Sequence, residues 1–381
     1  IYDLSYGENS ATLALAFDGL HDTLSAAEVR LFVSTARCRS LKPFLRNVDK
    51  SSRPFFFKRA DSNWNTVCTG GAGMLALAMG DLCPESPRVL KLAEESVAPF
   101  FESLKGGNGG WPEGIGYWNY GMRYGFMYML SHERATGRRH PLLRIGGVAA
   151  TLRFPLALSP GGVPCSFGDV NSFSPLPFHY AAADRLGDAE VIDELDRRLL
   201  RGKRDWSGAW PNAAETVLLH PRKNVKRKKK GWSRVSLLKG LEWGYLADRM
   251  PEPNLYLSFR GGTTDAPHVH RDLMSFHLVA GGEKLIENVP VDGYLDTTFS
   301  SRRYELYETA AVSKNTIFVN GVSIGDSVTL KTSAVKKAGI EGYRFDATDA
   351  MGEMRDGKAV KFCGRAILMV KRKGFLVIDR V

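Results

Sequence analysis

The sequence predicts a chain of two parts, an all-helical half followed by a half of antiparallel strands. Up to about residue 250, apolar residues recur at the helical spacing. Beyond that point, apolar and polar residues alternate, and glycine pairs mark turns. Helices in succession with short loops are typical of an (α/α) toroid or a helical bundle, and the strands indicate an antiparallel β-sandwich. We therefore expect two domains, at 1–250 and 251–381.

The helical half is justified by its caps and its apolar spacing. Ser25 to Glu28 form a capping-box pattern, and Ser86-Pro87 is a strong helix start. A helix rich in small residues is predicted over 63–79, and an aromatic helix over 117–135. Weaker helical patterns cover 140–157, 178–186, 189–201 and 235–248.

The strand half is predicted from four alternating segments, at 255–259, 276–286, 316–319 and 366–378. Gly281-Gly282 and Asn320-Gly321 supply turns. Ile1 leads directly into a helical pattern, and Val381 ends inside a strand pattern. We expect a fragment that is incomplete at both ends.

The charge balance favours a polyanionic partner. Lys and Arg outnumber Asp and Glu by 52 to 41, which gives +11. The segment 222–230 is dense in Lys and Arg, and it is either a solvated loop or an anion clamp. No nucleic-acid module accompanies it, and no apolar run is long enough to span a bilayer. The five cysteines are scattered without a CxxC pair, which predicts buried free thiols rather than a zinc cluster or a disulfide framework.

Two stretches carry most of the candidate chemistry. His268-Val269-His270-Arg271-Asp272 follows a glycine pair at the start of the strand half. In a strand, residues two apart face the same side, so both imidazoles and Asp272 are expected to face one cleft. The second stretch is Trp111 to Tyr120, in the helical half. We expect the two stretches to form two walls of one active site.

Four motifs in order resemble those of heparinase II/III-type polysaccharide lyases and of the related uronate epimerase that acts on dermatan sulfate. They are Asn63-Trp64-Asn65 with Gly70-Gly71, Trp111-Pro112-Glu113-Gly114 with Tyr117, Tyr120 and Arg123, His268 to Asp272 with Ser275-Phe276, and Asn315-Thr316 with Val319-Asn320-Gly321. The resemblance extends from about Asp3 to Val381. It implies an (α/α) toroid followed by a β-sandwich, an acidic polysaccharide as substrate, and a periplasmic or secreted location.

The chemistry of such lyases explains these residue types. The enzyme removes the proton at C5 of a uronate and expels the oxygen at C4. It needs a base, an acid for the leaving oxygen, and a group that neutralises the uronate carboxylate. Tyrosine suits this task if a cationic neighbour lowers its pKa from about 10.

The resemblance assigns roles to individual residues. Tyr117 matches the catalytic tyrosine, His268 the base, and Asn65 or Asn63 the carboxylate-neutralising position. Arg123 matches a supporting arginine, although six residues separate it from Tyr117 and do not put both on one helical face. Structural alternatives are helix packing for the tyrosines, a buried hydrogen bond for Asn65, a helix cap for Glu113 and a core position for His268. The candidate substrate-binding residues are Asn63, Trp111, Glu113, Trp118, Tyr120 and Lys314, of which the tryptophans could stack on sugar rings.

A metal site is the point at which the sequence departs from the family pattern. Members often hold zinc or manganese with the second histidine of the pair, an acidic residue and a further histidine. Here these positions are His270, Glu287 or Asn288, and Lys314, which cannot bind a metal as an ammonium. We predict that no metal is bound and that Lys314 puts its own charge where the ion would sit. The alternative is that Asp272 or Glu287 completes a site.

The favoured function is therefore a lyase acting on a uronate-containing acidic polysaccharide, with a glycosaminoglycan favoured and alginate possible. A uronate C5-epimerase on the same scaffold and a non-catalytic polysaccharide-binding protein remain alternatives. A glycoside hydrolase would need two carboxylates, for which Glu113 and Asp169 are available. Neither a nucleic-acid partner nor a membrane partner is expected, and the oligomeric state stays open.

Overall fold

A computed structural model describes residues 2–50, 55–199, 213–221, 231–351 and 359–381. The cation-rich segment 222–230 lies outside these residues. The helices are α1 (Leu4–Leu20), α2 (Ala26–Ala36), α3 (Lys42–Val48), α4 (Phe55–Lys58), α5 (Asn63–Met79), α6 (Ser86–Glu102), α7 (Gly114–Thr136), α8 (Val148–Thr151), α9 (Phe154–Ala157), α10 (Phe178–Leu186), α11 (Ala189–Leu199) and α12 (Ala213–Leu219).

The predicted small-residue helix, α5, is central to the helical half. It packs against α1, α6 and α7, and nearly all of its residues are buried. Glycine permits its closest contact, because a Cβ on Gly71 would lie 2.1 Å from the carbonyl oxygen of Gly7 in α1. Any side chain there would force the two helices apart. The capping box at Ser25 is confirmed, since Ser25 and Glu28 each cap the other's backbone N–H at the start of α2.

The strand half is antiparallel throughout its described pairs. Its strands are β1 (Val235–Leu238), β2 (Trp243–Ala247), β3 (Leu255–Arg260), β4 (Gly262–Thr263), β5 (Phe276–Ala280), β6 (Glu283–Ile286), β7 (Thr329–Leu330), β8 (Thr332–Lys337), β9 (Ile340–Asp346), β10 (Gly364–Val370) and β11 (Gly374–Arg380). They form a five-stranded sheet in the order β1-β2-β3-β5-β6, a four-stranded sheet β11-β10-β9-β8, and the small pair β4-β7.

The five-stranded sheet connects the two halves, because both of its faces are covered. On one face, Trp243 and Tyr256 join the core formed by the helices. On the other face, Leu257 and Phe259 join a second core with the four-stranded sheet, where the Phe259 ring lies 5.0 Å from that of Tyr343. The helical half is therefore packed directly against the sheet that leads into the histidine segment.

The order of helices followed by antiparallel strands is confirmed, with two corrections. The helix predicted over 235–248 is instead the hairpin of β1 and β2, whose turn contains Gly240 at φ +84°. Every residue of β2 is buried, and a strand covered on both faces loses the alternation that distinguishes it from a helix. The strand predicted over 316–319 contributes only an isolated bridge between Val319 and Val322. The domain boundary near 250 stays a prediction, although β1 and β2, which precede it, belong to the sheet of β3.

Four of the five cysteines are buried and all are free thiols, as expected, whereas Cys38 is exposed. Within the described ranges, no helix combines the length and the apolar composition required to cross a membrane.

Candidate active site

Tyr117 and His268 meet where the two halves of the chain join. Tyr117 lies in the first turn of α7. Its ring stacks on the imidazole of His268, with ring centres 3.8 Å apart and planes inclined by 18°. The Tyr117 hydroxyl forms a short hydrogen bond with the hydroxyl of Tyr294. The two sequence stretches thus lie against each other in the structure.

His268 reaches this position from a loop, not from a strand. The segment 265–275 has no strand, and His268 adopts φ +61°, an uncommon backbone conformation for a non-glycine residue. We expected the two histidines to converge because residues alternate along a strand. They do converge, but the predicted strand is absent, so this reason is wrong. Asp272 does not join them, because it is buried in a close ion pair with Arg260.

Asp169 is the residue on which both histidines converge. Its Oδ2 accepts a hydrogen bond from His268 Nδ1, and its Oδ1 one from His270 Nε2, each at 2.9 Å. Arg303 forms a close ion pair with the same carboxylate. Burial would raise the pKa of Asp169, but the hydrogen bonds from His268, His270 and Arg303 outweigh it and hold that pKa well below its usual range. Asp169 is therefore an ionised acceptor at neutral pH.

Glu113 lies on the other side of the His268 ring. Its Oε1 is 3.7 Å from His268 Nε2. Its Oε2 accepts hydrogen bonds from the Asn63 backbone N–H at 2.7 Å and from Trp111 Nε1 at 3.1 Å. The side chain is fully buried, and this burial raises its pKa to about 6, against the opposing effect of His268 and of the hydrogen bonds. The imidazole of His268 thus lies between two carboxyl groups.

The acidity of Tyr117 differs from the expectation. Its pKa is raised above 10, first by burial and then by the hydrogen bond with Tyr294, and Asp169 and Glu113 act in the same direction. The prediction that a cation lowers this pKa is wrong, because burial and the hydrogen bond with Tyr294 raise it. A tyrosine with a raised pKa keeps its proton at neutral pH, which suits an acid.

The asparagines of α5 do not face the cleft. Asn65 is buried, and its Nδ2 donates to the carbonyl oxygens of Phe56 at 3.1 Å and of Ser96 at 3.0 Å. This corrects the expectation that the Asn65 amide binds a substrate carboxylate, since its donors already bind neighbouring chain segments. Asn63 is also buried, and its Nδ2 donates to Glu113 Oε1 at 3.0 Å. It positions Glu113.

The aromatic candidates in α7 and just before it also point into the helical core rather than into the cleft. Trp111 and Trp118 are fully buried, and Trp118 Nε1 donates to Thr151 at 2.8 Å. Neither ring is accessible to a sugar, which corrects the expectation of stacking. The Tyr120 hydroxyl donates to Glu8 in α1 at 2.5 Å.

Arg123 is oriented away from Tyr117, as the spacing of six residues implies. Its guanidinium pairs with Glu215 of α12 at 3.3 Å. Arg123 can support the helical packing near the site, but its pair with Glu215 does not bring it into contact with Tyr117.

The open side of the site is formed by the segment 287–303. A cleft of about 280 Å³ is lined by 169–172 and 290–294. Two aromatic side chains of this segment, Tyr294 and Phe299, are 45% and 66% exposed. The Phe299 ring lies 5.8 Å from His268 and 4.8 Å from Tyr294, each in an edge-on arrangement. These two rings, rather than the tryptophans, are available to a sugar.

The residues at the position of the family's metal do not fit a metal ion. His270 Nε2 already donates to Asp169, and Glu287 pairs with Lys284 at 2.8 Å. Asn288 donates to Ser275 at 2.9 Å. The Lys314 ammonium donates to the backbone carbonyl oxygens of Val289 and Glu308, and it is close enough to His270 to lower the histidine pKa. Among the described residues, no group of three or more His, Cys, Asp or Glu side chains could hold a metal.

Three residues of this site were not predicted as parts of it. Arg303 and Tyr294 lie in the stretch 287–309, which has no strand pattern. The aromatic residues of this stretch are a sequence signal that could have pointed to a sugar-binding surface. Asp169 was considered only as a carboxylate of a glycoside hydrolase. Its contact with both histidines joins positions about a hundred residues apart in the chain.

Solved structures of heparan sulfate lyases share this fold. The crystal structure of heparan sulfate lyase HepC from Pedobacter heparinus matches with a TM-score of 0.53 and 12% identity, over 91% of this chain and 48% of that chain. The heparinase III BT4657 gene product matches with a TM-score of 0.58 and 12% identity, over 89% of this chain and 46% of that chain. A crystal structure of heparinase III matches with a TM-score of 0.54 and 10% identity, over 92% and 54%.

The chain thus spans about half the length of these structures. No protein-family model and no curated protein matches the sequence. At such low identity, the similarity shows a polysaccharide lyase fold and leaves the substrate and the site residues to the chemistry of this chain.

Proposed function

We propose that the chain is a polysaccharide lyase that cleaves a uronate-containing acidic polysaccharide by β-elimination, with Tyr117 as the acid and His268 as the base. The observation that carries this proposal is the stacked pair of Tyr117 and His268 at the junction of the two halves, with carboxyl groups near both imidazole nitrogens. A protonated hydroxyl and an imidazole side by side supply the two proton transfers that elimination requires.

The proposed reaction balances without another reactant. His268 Nε2 takes the proton from C5 of the uronate. The electron pair of that C–H bond forms the C4–C5 double bond while the C4–O bond breaks. Tyr117 gives its proton to the leaving oxygen, and proton transfer from imidazolium to phenolate through solvent restores both groups. The carboxyl groups of Asp169 and Glu113 stabilise the imidazolium that forms.

The substrate carboxylate needs a cationic partner in place of the Asn65 amide. Arg59 is the group we propose for it. The pKa of Arg59 is raised chiefly by its hydrogen bonds with Asp61, and Glu113 and Asp265 act in the same direction. Arg59 Nε and Nη2 donate to the Asp61 carboxylate at 2.7 and 2.8 Å, and the Arg59 side chain is 40% exposed.

The finer features of the family are part of the same proposal. They are an (α/α) toroid in the helical half, a β-sandwich in the strand half, a glycosaminoglycan as the favoured polymer and a location in the periplasm or outside the cell. The net charge of +11 supports an anionic polymer. The position of His268 between Glu113 and Asp169 argues against a glycoside hydrolase, whose carboxyl groups must have the sugar between them.

An ultraviolet assay tests this function. The protein is incubated with heparan sulfate, chondroitin sulfate, dermatan sulfate, hyaluronan and alginate, and the absorbance of the unsaturated uronate is followed. We expect a rise on one polymer that is lost in Tyr117→Phe and kept in Tyr124→Phe, which removes a hydroxyl from the same helix away from the cleft.

Absence of a rise on every polymer would contradict the lyase. Proton exchange at C5 in deuterated water would then identify an epimerase. If no exchange occurs and the protein still binds a polymer, it is a binding protein.

A further inference from the structure

We propose that Asp169 is a positioning residue that sets the tautomer of His268, keeping the proton on Nδ1 and leaving Nε2 as the basic nitrogen. This inference rests on the proposed function, because it defines which atom of His268 accepts the substrate proton. A residue of the helical half, Asp169, thus controls the tautomer of the base, His268, which belongs to the strand half.

The first support is the direction of the hydrogen bonds. An ionised carboxylate only accepts hydrogen bonds, so each histidine nitrogen within 2.9 Å of Asp169 must carry a hydrogen. For His268 this nitrogen is Nδ1. Because a neutral imidazole carries one hydrogen, Nε2 is then unprotonated, and its lone pair is free to accept a proton.

The second support is that the backbone fixes the same pair. The Asp169 N–H donates to the His268 carbonyl oxygen at 3.1 Å. This approach requires glycine at the preceding position: Gly168 has φ +94°, and a Cβ there would lie 3.0 Å from that oxygen. Asp169 thus holds His268 by a backbone bond and by a side-chain bond, which fixes the ring relative to its own main chain.

The third support is that Arg303 keeps Asp169 in place. Besides the ion pair with Asp169, the guanidinium donates to Val269 O at 3.0 Å and to Thr298 O at 3.0 Å. These contacts tie the histidine segment and the cleft segment to one carboxylate. A partly buried cation beside Asp169 also disfavours its protonation, which would turn the acceptor into a donor.

The remaining side of the imidazole is consistent with this tautomer. Glu113 Oε1 is 3.7 Å from Nε2, which is longer than a hydrogen bond. Nε2 is therefore not committed to a protein acceptor. Once it takes a proton, the nearby Glu113 carboxyl stabilises the charge.

The tautomer is measured directly in protein labelled with ¹⁵N-histidine. Multiple-bond ¹H–¹⁵N correlation distinguishes the two tautomers, and a His268→Gln spectrum assigns the signal. We expect neutral His268 to carry its proton on Nδ1 in the wild type. In Asp169→Asn, which keeps the shape but can donate through its amide, we expect the proton to move to Nε2. Asp272→Asn, which alters another buried aspartate bound to an arginine, should leave the tautomer unchanged.

Kinetics supply the second readout. The analogous change in serine proteases lowers kcat by about 10⁴-fold. We expect Asp169→Asn to lower kcat by at least about 100-fold with little change in KM, and Asp272→Asn to retain kcat within a few-fold. Asp169→Glu, which retains an acceptor, should recover part of the loss.

Each outcome decides the proposal. An Nε2–H tautomer in the wild type, or an unchanged Nδ1–H tautomer in folded Asp169→Asn, would overturn it. If Asp169→Asn does not fold, the wild-type spectrum alone still decides. If the wild type shows no elimination on any polymer, the proposed function fails, while the tautomer spectrum still tests the role of Asp169.

Discussion

Two neighbouring histidines, His268 and His270, bind the same carboxylate but differ in their access to the cleft. At the junction of the halves, His268 is 12% exposed as a side chain and has one nitrogen without a hydrogen-bond partner at bonding distance. Two residues further, His270 is buried against Asp169, and burial lowers its pKa to about 4. His268 is in a position to exchange protons, whereas His270 is held neutral within the fold.

The difference between the two histidines lies in their surroundings. Both bind the same carboxylate at 2.9 Å, so the partner does not distinguish them. The two histidines differ in their access to the cleft and in the group that lies near the imidazole besides Asp169. For His268 that group is Tyr117, while His270 has the buried charge of Lys314 nearby.

The largest effect is expected when the two histidines are substituted separately. His268→Gln removes the base and should lower kcat by about 10²–10⁴-fold. His270→Gln can still donate to Asp169, so its kcat should stay within about tenfold while its unfolding temperature falls. Initial rates with the best polymer and thermal unfolding of both variants measure this. Equal losses of kcat would remove the distinction between the two histidines.

A stability effect is expected at Lys314. Lys314→Met removes the donor to the carbonyl oxygens of Val289 and Glu308, at a cost of about 1–3 kcal/mol for each buried acceptor left unpaired. Burial lowers the pKa of Lys314 to about 7 from 10.5. Between these values the unfolded chain binds more protons than the folded one. The wild type should therefore gain stability relative to Lys314→Met as the pH rises from about 7 to 10. Denaturant titrations at several pH values test this, and a constant difference would show that Lys314 does not titrate there.

The opposite pH dependence is expected at Glu113. Burial raises its pKa to about 6 from 4.5, so the folded state binds more protons within this window. The wild type should lose about 2 kcal/mol of stability relative to Glu113→Gln over the whole titration, from well below pH 4.5 to well above pH 6. Comparing slopes rather than absolute values separates ionisation from the altered hydrogen bonds. Parallel pH curves would contradict the raised pKa.

The smallest effect is expected from metal removal. A chelator should leave both the unfolding temperature and the lyase rate of the wild type unchanged, because the donor atoms near His270 already bind protein groups. Metal analysis of the purified protein is the direct measurement. A stoichiometric metal whose removal lowers the unfolding temperature would show that these side chains rearrange.

The sequence predicted those parts of the site that lie in contiguous motifs. The helix at 63–79 and the order of helices before strands follow from local patterns. The expectation that the Tyr117 and His268 stretches lie together came from the resemblance of the motifs, and their rings do stack. The roles of Asn65 and of Trp118 were misjudged, because their motif does not indicate whether a side chain faces the cleft or the bundle interior.

Local spacing therefore determined the type and order of most elements, since the apolar period and the caps are read from neighbouring residues. Only the tertiary structure decided which groups surround the imidazole. Asp169, His268 and Arg303 come from three separate segments, and their hydrogen bonds depend on loop conformations such as φ +94° at Gly168 and φ +61° at His268. The tautomer of the base and the raised pKa of Tyr117 arise from burial and from distant partners, which no local pattern encodes.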